Sequence, residues 1–208
     1  DCLTRSRLVV RVERRVSGLL ERHRCWQNNI RQQVVDTGIE NDLRSWSREV
    51  LEVPNEHLKG MSPCPYAKEA WKKDKVLVVE TNSIYADSLK YCASFADTGK
   101  ELVVLASYKI PNMKKFNKHV SHLNDTFNSL HCMEFHPEYG AEDADLDFLT
   151  DNDWESSVDK SYCMIFIQDL EQVVRASDKL ERLGYYKVYP ESEYQELVVE
   201  RKRRLQWL

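Results

Sequence analysis

Residues 76–105 read VLVVETNSIYADSLKYCASFADTGKELVVL, and this stretch decides the fold. Val76-Leu-Val-Val79 and Leu102-Val-Val-Leu105 are short, wholly apolar runs, the pattern of strands covered on both faces. Between them Ile84, Leu89, Cys92 and Phe95 step at helical spacing, and Thr98-Gly99 closes the segment. Strand, helix and strand in succession point to a parallel pair joined by a crossover helix.

The pattern repeats toward the C-terminus. Pro111 opens a helix with Met113, Phe116, Val120, Leu123 and Phe127 inward. His131 to Phe135 and Met164 to Ile167 follow as strands. A helix carrying Leu170, Val173, Val174, Ala176 and Leu180 stops at Gly184. Tyr185 to Tyr189 reads as an edge strand, and Pro190 starts a C-terminal helix containing Leu197, Val198 and Leu205.

Toward the N-terminus, a short helix covers 67–72, and His57 to Pro65 connects it to a helix over 39–52 that Pro54 ends. Residues 8–30 form an amphipathic helix with Val9, Val12, Val16, Leu19, Trp26 and Ile30 on one stripe. The expectation is an α/β protein: a mixed sheet of four to five strands with packed helices, preceded by an N-terminal helical arm. The Arg-rich arm spans 1–55, and the α/β domain with its basic C-terminal helix spans 56–208. A ferredoxin-like α+β layout is the alternative.

The 208 residues, 42% hydrophobic and 31% charged, suit a globular chain with a real core. No apolar run is long enough for a membrane span. Net charge is −4, but charge is segregated. Residues 1–24 hold seven arginines and three acids, residues 134–159 hold ten acids and no Lys or Arg, and Arg201 to Arg204 is basic again. Such separation suits either a charged protein partner, met through the Arg-rich N-terminal helix and the basic C-terminal helix, or a solvated face. The acidic total disfavours bulk nucleic-acid binding.

Six cysteines lie 23 to 40 residues apart, so there is no CxxC redox or zinc pair, and several sit in apolar runs as free core thiols do. Together with the lack of a secretory h-region, this points to an intracellular chain, cytoplasmic or in an organellar matrix, and not secreted. The Arg-rich, lysine-free start resembles an organellar presequence remnant, with an ordinary basic helix as the other reading.

Six isolated glycines exclude a dinucleotide-binding fingerprint and a P-loop. Asp143, Asp145 and Asp147 imitate the first calcium-loop ligands, but Phe148 and Trp154 stand where glycine and glutamate are required. His119 and His122, three apart on a helix, read as solvent-facing rather than metal-binding. Two segments carry more chemistry. Ser62-Pro-Cys-Pro-Tyr66 holds Cys64 on a stiff, extended backbone between two prolines. Phe135-His-Pro-Glu-Tyr139 ends a buried strand, where ligands of α/β sheets tend to bind, and period two puts Cys132, Glu134 and His136 on one face.

These segments also resemble an uncharacterised bacterial family, domain of unknown function fourteen-fifteen. Its members have a Cys-Pro-Phe-Ala stretch, a Phe-His-Pro-Asp-Tyr stretch and an Arg-Ser-Pro-Tyr-Pro-Met stretch. The order matches Cys64 to Ala67, Phe135 to Tyr139 and Lys160 to Met164, over roughly residues 62–170. The resemblance marks Cys64, His136, Tyr139 and Ser161, with Tyr66, Glu138 and Lys160 at substituted positions. This chain lacks the proline between Ser161 and Tyr162 and has Cys163 where the family has proline. No activity comes with the resemblance.

Two functions remain open. One is a small-molecule enzyme or ligand-binding protein with Cys64, His136, Glu138 and Tyr139 at its centre. Tyr66, Lys160 and Ser161 would contact a small anionic ligand, and Cys64 with His136 could hold a transition metal. The other is an accessory or structural subunit of a larger assembly, docking through its basic N- and C-terminal helices.

Overall fold

The computed structural model describes residues 38–138 and 156–207. Strand β1 (Val76–Glu80) pairs in parallel with β2 (Leu102–Ser107), Val76 opposite Leu102 and Glu80 opposite Ala106. Helix α3 (Ile84–Ala93) makes the crossover between them. Strand β4 (Cys163–Asp169) inserts antiparallel between β2 and β3 (Leu130–Phe135), giving the order β1-β2-β4-β3. The chain is therefore an α/β protein with a mixed four-stranded sheet. Strands β1, β2 and β3 share one direction, so their carboxyl ends meet at one edge. Direct pairing of β1 with β2 excludes the ferredoxin-like layout, in which a further strand splits the βαβ unit.

The apolar runs are explained by helices on both faces. On one face Val103, Leu105, Cys132, Cys163, Ile165 and Ile167 are buried with Ile84, Tyr91 and Cys92 of α3. Phe116, Val120 and Leu123 of α4 (Met113–Thr126) complete that layer. On the other face Val76, Val104, Ala106, Met164 and Phe166 pack with Ile39 and Leu43 of α1 (Gly38–Trp46). Helix α1 runs on into a π turn, Ser47–Leu51. The sequence reading gave this helix to the arm; its apolar side instead closes the sheet. Residues 1–37 of the arm, with the helix expected over 8–30, lie outside the described residues. Leu89, expected to face inward, is 40% exposed, and Ser88 takes the buried place. Ser88 is tolerated there because its hydroxyl donates to the Tyr85 carbonyl and meets His119 Nε2 at 2.7 Å.

Local chemistry sets the boundaries. Asn112 caps α4 by accepting from Lys115 N, and Asp169 caps α5 (Leu170–Arg182) by accepting from Gln172 N. Gly184, at φ 78°, turns the chain after α5 in a conformation that side chains disfavour. The expected edge strand at Tyr185–Tyr189 is instead a 3₁₀ turn, Tyr185–Val188. The left-handed glycine starts a turn, and the rings pack together rather than along a ladder. Tyr185 is buried, its hydroxyl donates to the Pro63 carbonyl at 2.7 Å, and Tyr189 donates to Tyr185 at 3.1 Å. The C-terminal helix runs as α6 (Glu191–Tyr194), a π turn (Gln195–Glu200) and α7 (Arg201–Gln206).

Edge strand β3 is blocked by side chains. The Asn124 amide donates to the Cys132 carbonyl and accepts from Cys132 N, both at 2.9 Å. Arg204 donates to the Leu130 carbonyl at 2.8 Å. Polar groups that would otherwise invite another strand are thereby occupied. No described helix is long and apolar enough to cross a membrane.

Candidate functional site

Cys64 sits where the Pro-Cys-Pro segment enters α2 (Ala67–Lys72). Its N–H donates to the Leu51 carbonyl and its own carbonyl accepts from Ala67 N, each at 3.0 Å, so the backbone is pinned on both sides. Burial pushes the thiol above its ordinary range, against the opposing pull of the Tyr66 and Ala67 N–H groups; Glu52 raises it further. Its electrostatic neighbours include Tyr66, Tyr185 and Tyr189. At neutral pH this sulfur is a thiol, and nucleophilic and metal chemistry both use the thiolate. Tyr66, expected to contact a ligand, reaches the Ala176 carbonyl of α5 at 3.4 Å.

His136 follows β3 at the carboxyl edge, and its side chain is fully buried. Its Nε2 lies 2.8 Å from the Pro111 carbonyl, which can only accept, so Nε2 carries the proton. Nδ1 then accepts from Glu138 N at 3.2 Å, and the ring packs on Phe116 with centroids 5.7 Å apart. Both nitrogens are engaged in holding the β3 exit against α4. The Glu138 carboxylate is exposed and 3.9 Å from Nδ1. Tyr139 lies outside the described residues. Cys64 lies with the tyrosine cluster beside α5, and His136 packs against Phe116 of α4. Among the described residues no group of three or more His, Cys, Asp and Glu is arranged to hold a metal ion.

Lys160 donates to Asp42 Oδ2 of α1 at 2.9 Å, and the Tyr162 hydroxyl donates to the same oxygen. Tyr162 also lies 3.4 Å from the Tyr108 hydroxyl. The Tyr162 and Lys160 hydrogen bonds hold the Asp42 carboxyl below the ordinary range, and burial with the Asp42 bond keeps Tyr162 protonated. Sequence reasoning found Lys160 and the exposed Ser161 but missed Asp42 and Tyr108. No local pattern links positions so far apart in the chain. The Lys160 charge is neutralised here, so the arrangement ties the approach to β4 onto α1 rather than presenting a free cation.

The basic C-terminal helix is largely turned inward. Arg201 is held over Met133 Sδ at 3.7 Å, and burial lowers its pKa. Lys202 bridges Asp178 at 2.9 Å and Glu181 at 2.7 Å on α5, and both bonds raise its pKa. Arg204 serves the Leu130 and Asn124 carbonyls. Only Arg203 of the four points outward, paired with Glu200. This helix clamps its own sheet edge.

A different surface carries unused charge. Between α1 with its π turn and α2 lies a cleft of about 290 Å³, lined by Arg44, Arg48, Glu52, Lys68, Trp71 and Lys72. The cations stand four residues apart on each helix, so each pair shares one face. Trp71 forms part of the lining, fixed by its Nε1 donating to Ser47 Oγ at 2.9 Å, while Ser47 donates to Glu52. The Arg44 guanidinium lies 4.5 Å over the indole and is paired with Glu40. Lys72 is 3.9 Å from Glu69. Arg48 and Lys68 are exposed and have no ion-pair partner among the described residues. Each i,i+4 pair is legible in sequence; that the two face each other is not.

No family model, no curated protein and no solved structure matches the chain.

Proposed function

We propose that the chain is a binding protein, an accessory subunit that docks an acidic segment of a partner protein in the cleft between α1 and α2. The observation that carries this reading is the uncompensated charge of Arg48 and Lys68, which line one cleft from two different helical segments together with Arg44 and Lys72. Desolvating such cations is unfavourable without an anion between them, and carboxylates supply bidentate partners for Arg48. Glu52 also lines the cleft, and an acid among the cations suits spaced carboxylates of a peptide better than an unbroken phosphate backbone. The net charge of −4 also opposes general nucleic-acid affinity. The locked states of Cys64 and His136 support a binding role over Cys–His catalysis. The family resemblance adds no activity to this reading.

The test is fluorescence anisotropy of a labelled peptide of alternating aspartate and glutamate. Wild type should bind it with an affinity that falls steeply with salt. Arg48→Glu with Lys68→Glu should weaken binding by about tenfold or more. Unchanged binding in the double variant, or tighter binding of a single-stranded oligonucleotide than of the peptide, would overturn the assignment.

A further inference from the structure

Cys92 on α3 and Cys132 on β3 place their sulfurs 3.7 Å apart inside the layer between the sheet and its two crossover helices. Both are free thiols and both are buried. We infer that this pair is an oxidation site, closed to an intramolecular disulfide by a hydroperoxide. Neither residue takes part in the proposed docking surface, so the two readings stand or fall separately.

The geometry favours closure between these two sulfurs. A disulfide needs the sulfurs about 2 Å apart, so the 3.7 Å separation leaves less than about 2 Å to close. Both backbones are fixed here. Cys132 is gripped at N and O by the Asn124 amide, and Cys92 lies in a helix whose neighbour Tyr91 is also buried. Held this close, a reactive sulfur meets its partner before any other thiol. Cys163 belongs to the same layer, but among the described residues the close sulfur approach is between Cys92 and Cys132.

The chemistry balances with hydrogen peroxide as oxidant. Cys132 is the attacking group, because the hydrogen bond between the two sulfurs and burial both push the Cys92 thiol far above its ordinary range. Its thiolate attacks one peroxide oxygen, the O–O bond breaks, and the leaving hydroxide takes up a proton as water. The resulting sulfenic acid is then attacked by the Cys92 sulfur. The S–O bond breaks, the S–S bond forms and a second water leaves with the Cys92 proton. Two thiols and one peroxide give one disulfide and two waters, with sulfur oxidised and peroxide oxygen reduced.

The experiment exposes the full chain to excess hydrogen peroxide, alkylates remaining thiols under denaturing conditions and maps the peptides by mass spectrometry. The expected result is a crosslinked peptide joining Cys92 to Cys132, two hydrogens lighter than its parts, and lost on reduction with dithiothreitol. Cys92→Ser should instead trap Cys132 as a sulfenic acid that a dimedone probe captures, and Cys132→Ser should leave Cys92 unmodified. The wild-type map decides the matter even if a variant folds poorly. Both cysteines recovered alkylated, or either crosslinked to another cysteine, would overturn the site.

Discussion

The motif segments around Cys64 and His136 and the cleft between α1 and α2 make opposite use of their polar groups. The motif residues have the rarer chemistry, yet their atoms are already committed: Cys64 is pinned between Leu51 and Ala67, and His136 between Pro111 and Glu138. The cleft residues are ordinary surface cations, yet Arg48 and Lys68 remain without ion-pair partners among the described residues. Capacity for interaction follows from unmet valence and charge in the folded chain, and residue type alone does not report it. Stiff proline-flanked segments supply sharp turns that need fixing, and a cysteine or histidine is a compact way to fix them.

The largest expected effect breaks the structural half of this contrast. His136→Ala should destabilise the fold by about 3 kcal/mol, since it removes a buried ring and strands the Pro111 carbonyl. Urea unfolding measures this, and the folded fraction should still bind the acidic peptide. Retained stability would return His136 to the list of functional candidates. Elemental analysis of the same samples should show no metal that depends on Cys64 or His136.

Next is Asn124→Ala, which should cost about 2 kcal/mol by removing both hydrogen bonds to Cys132. Faster hydrogen exchange confined to the β3 edge would locate the loss. A smaller effect is set by pH. Burial first, then Arg201 and Arg204, hold His131 well below its ordinary range, and its Nε2 has no hydrogen-bond partner among the described residues. The folded state keeps His131 neutral while the unfolded chain protonates it near its ordinary value. The unfolded state therefore binds more protons below that value, and stability falls as pH drops from about 7 toward 5. Thermal melts across that window should show the decline, flattened in His131→Gln. Lys160→Ala should change neither stability nor peptide binding measurably, because its pairing with Asp42 is solvent-exposed. A loss of peptide binding there would extend the docking surface to the carboxyl edge of the sheet.

Much of the fold was legible before the structure. Continuous apolar runs at 76–79, 102–105 and 164–167 announced strands covered on both faces, and Gly99 and Gly184 marked helix ends. The Tyr185–Tyr189 segment was misread because its aromatic composition suits a strand, whereas a left-handed glycine and ring packing made it a turn. Leu89 was misplaced because helical spacing alone does not say which neighbouring row faces the sheet. Of the candidate site, the residue types were visible and their partners were not.

The sequence by itself determined what is local: the order of the four strands and the helices between them, the stops at Gly99 and Gly184, and the stiffness around Cys64. These depend on backbone sterics and short-range hydrogen bonds, which a few neighbouring residues settle. Only the tertiary structure decided that β4 enters between β2 and β3, that Cys92 meets Cys132, and that Arg201, Lys202 and Arg204 turn inward. The same holds for the facing of Arg48 and Lys68 across one cleft. Each of these joins residues distant in sequence, and the free energy that selects them is the burial of the whole sheet.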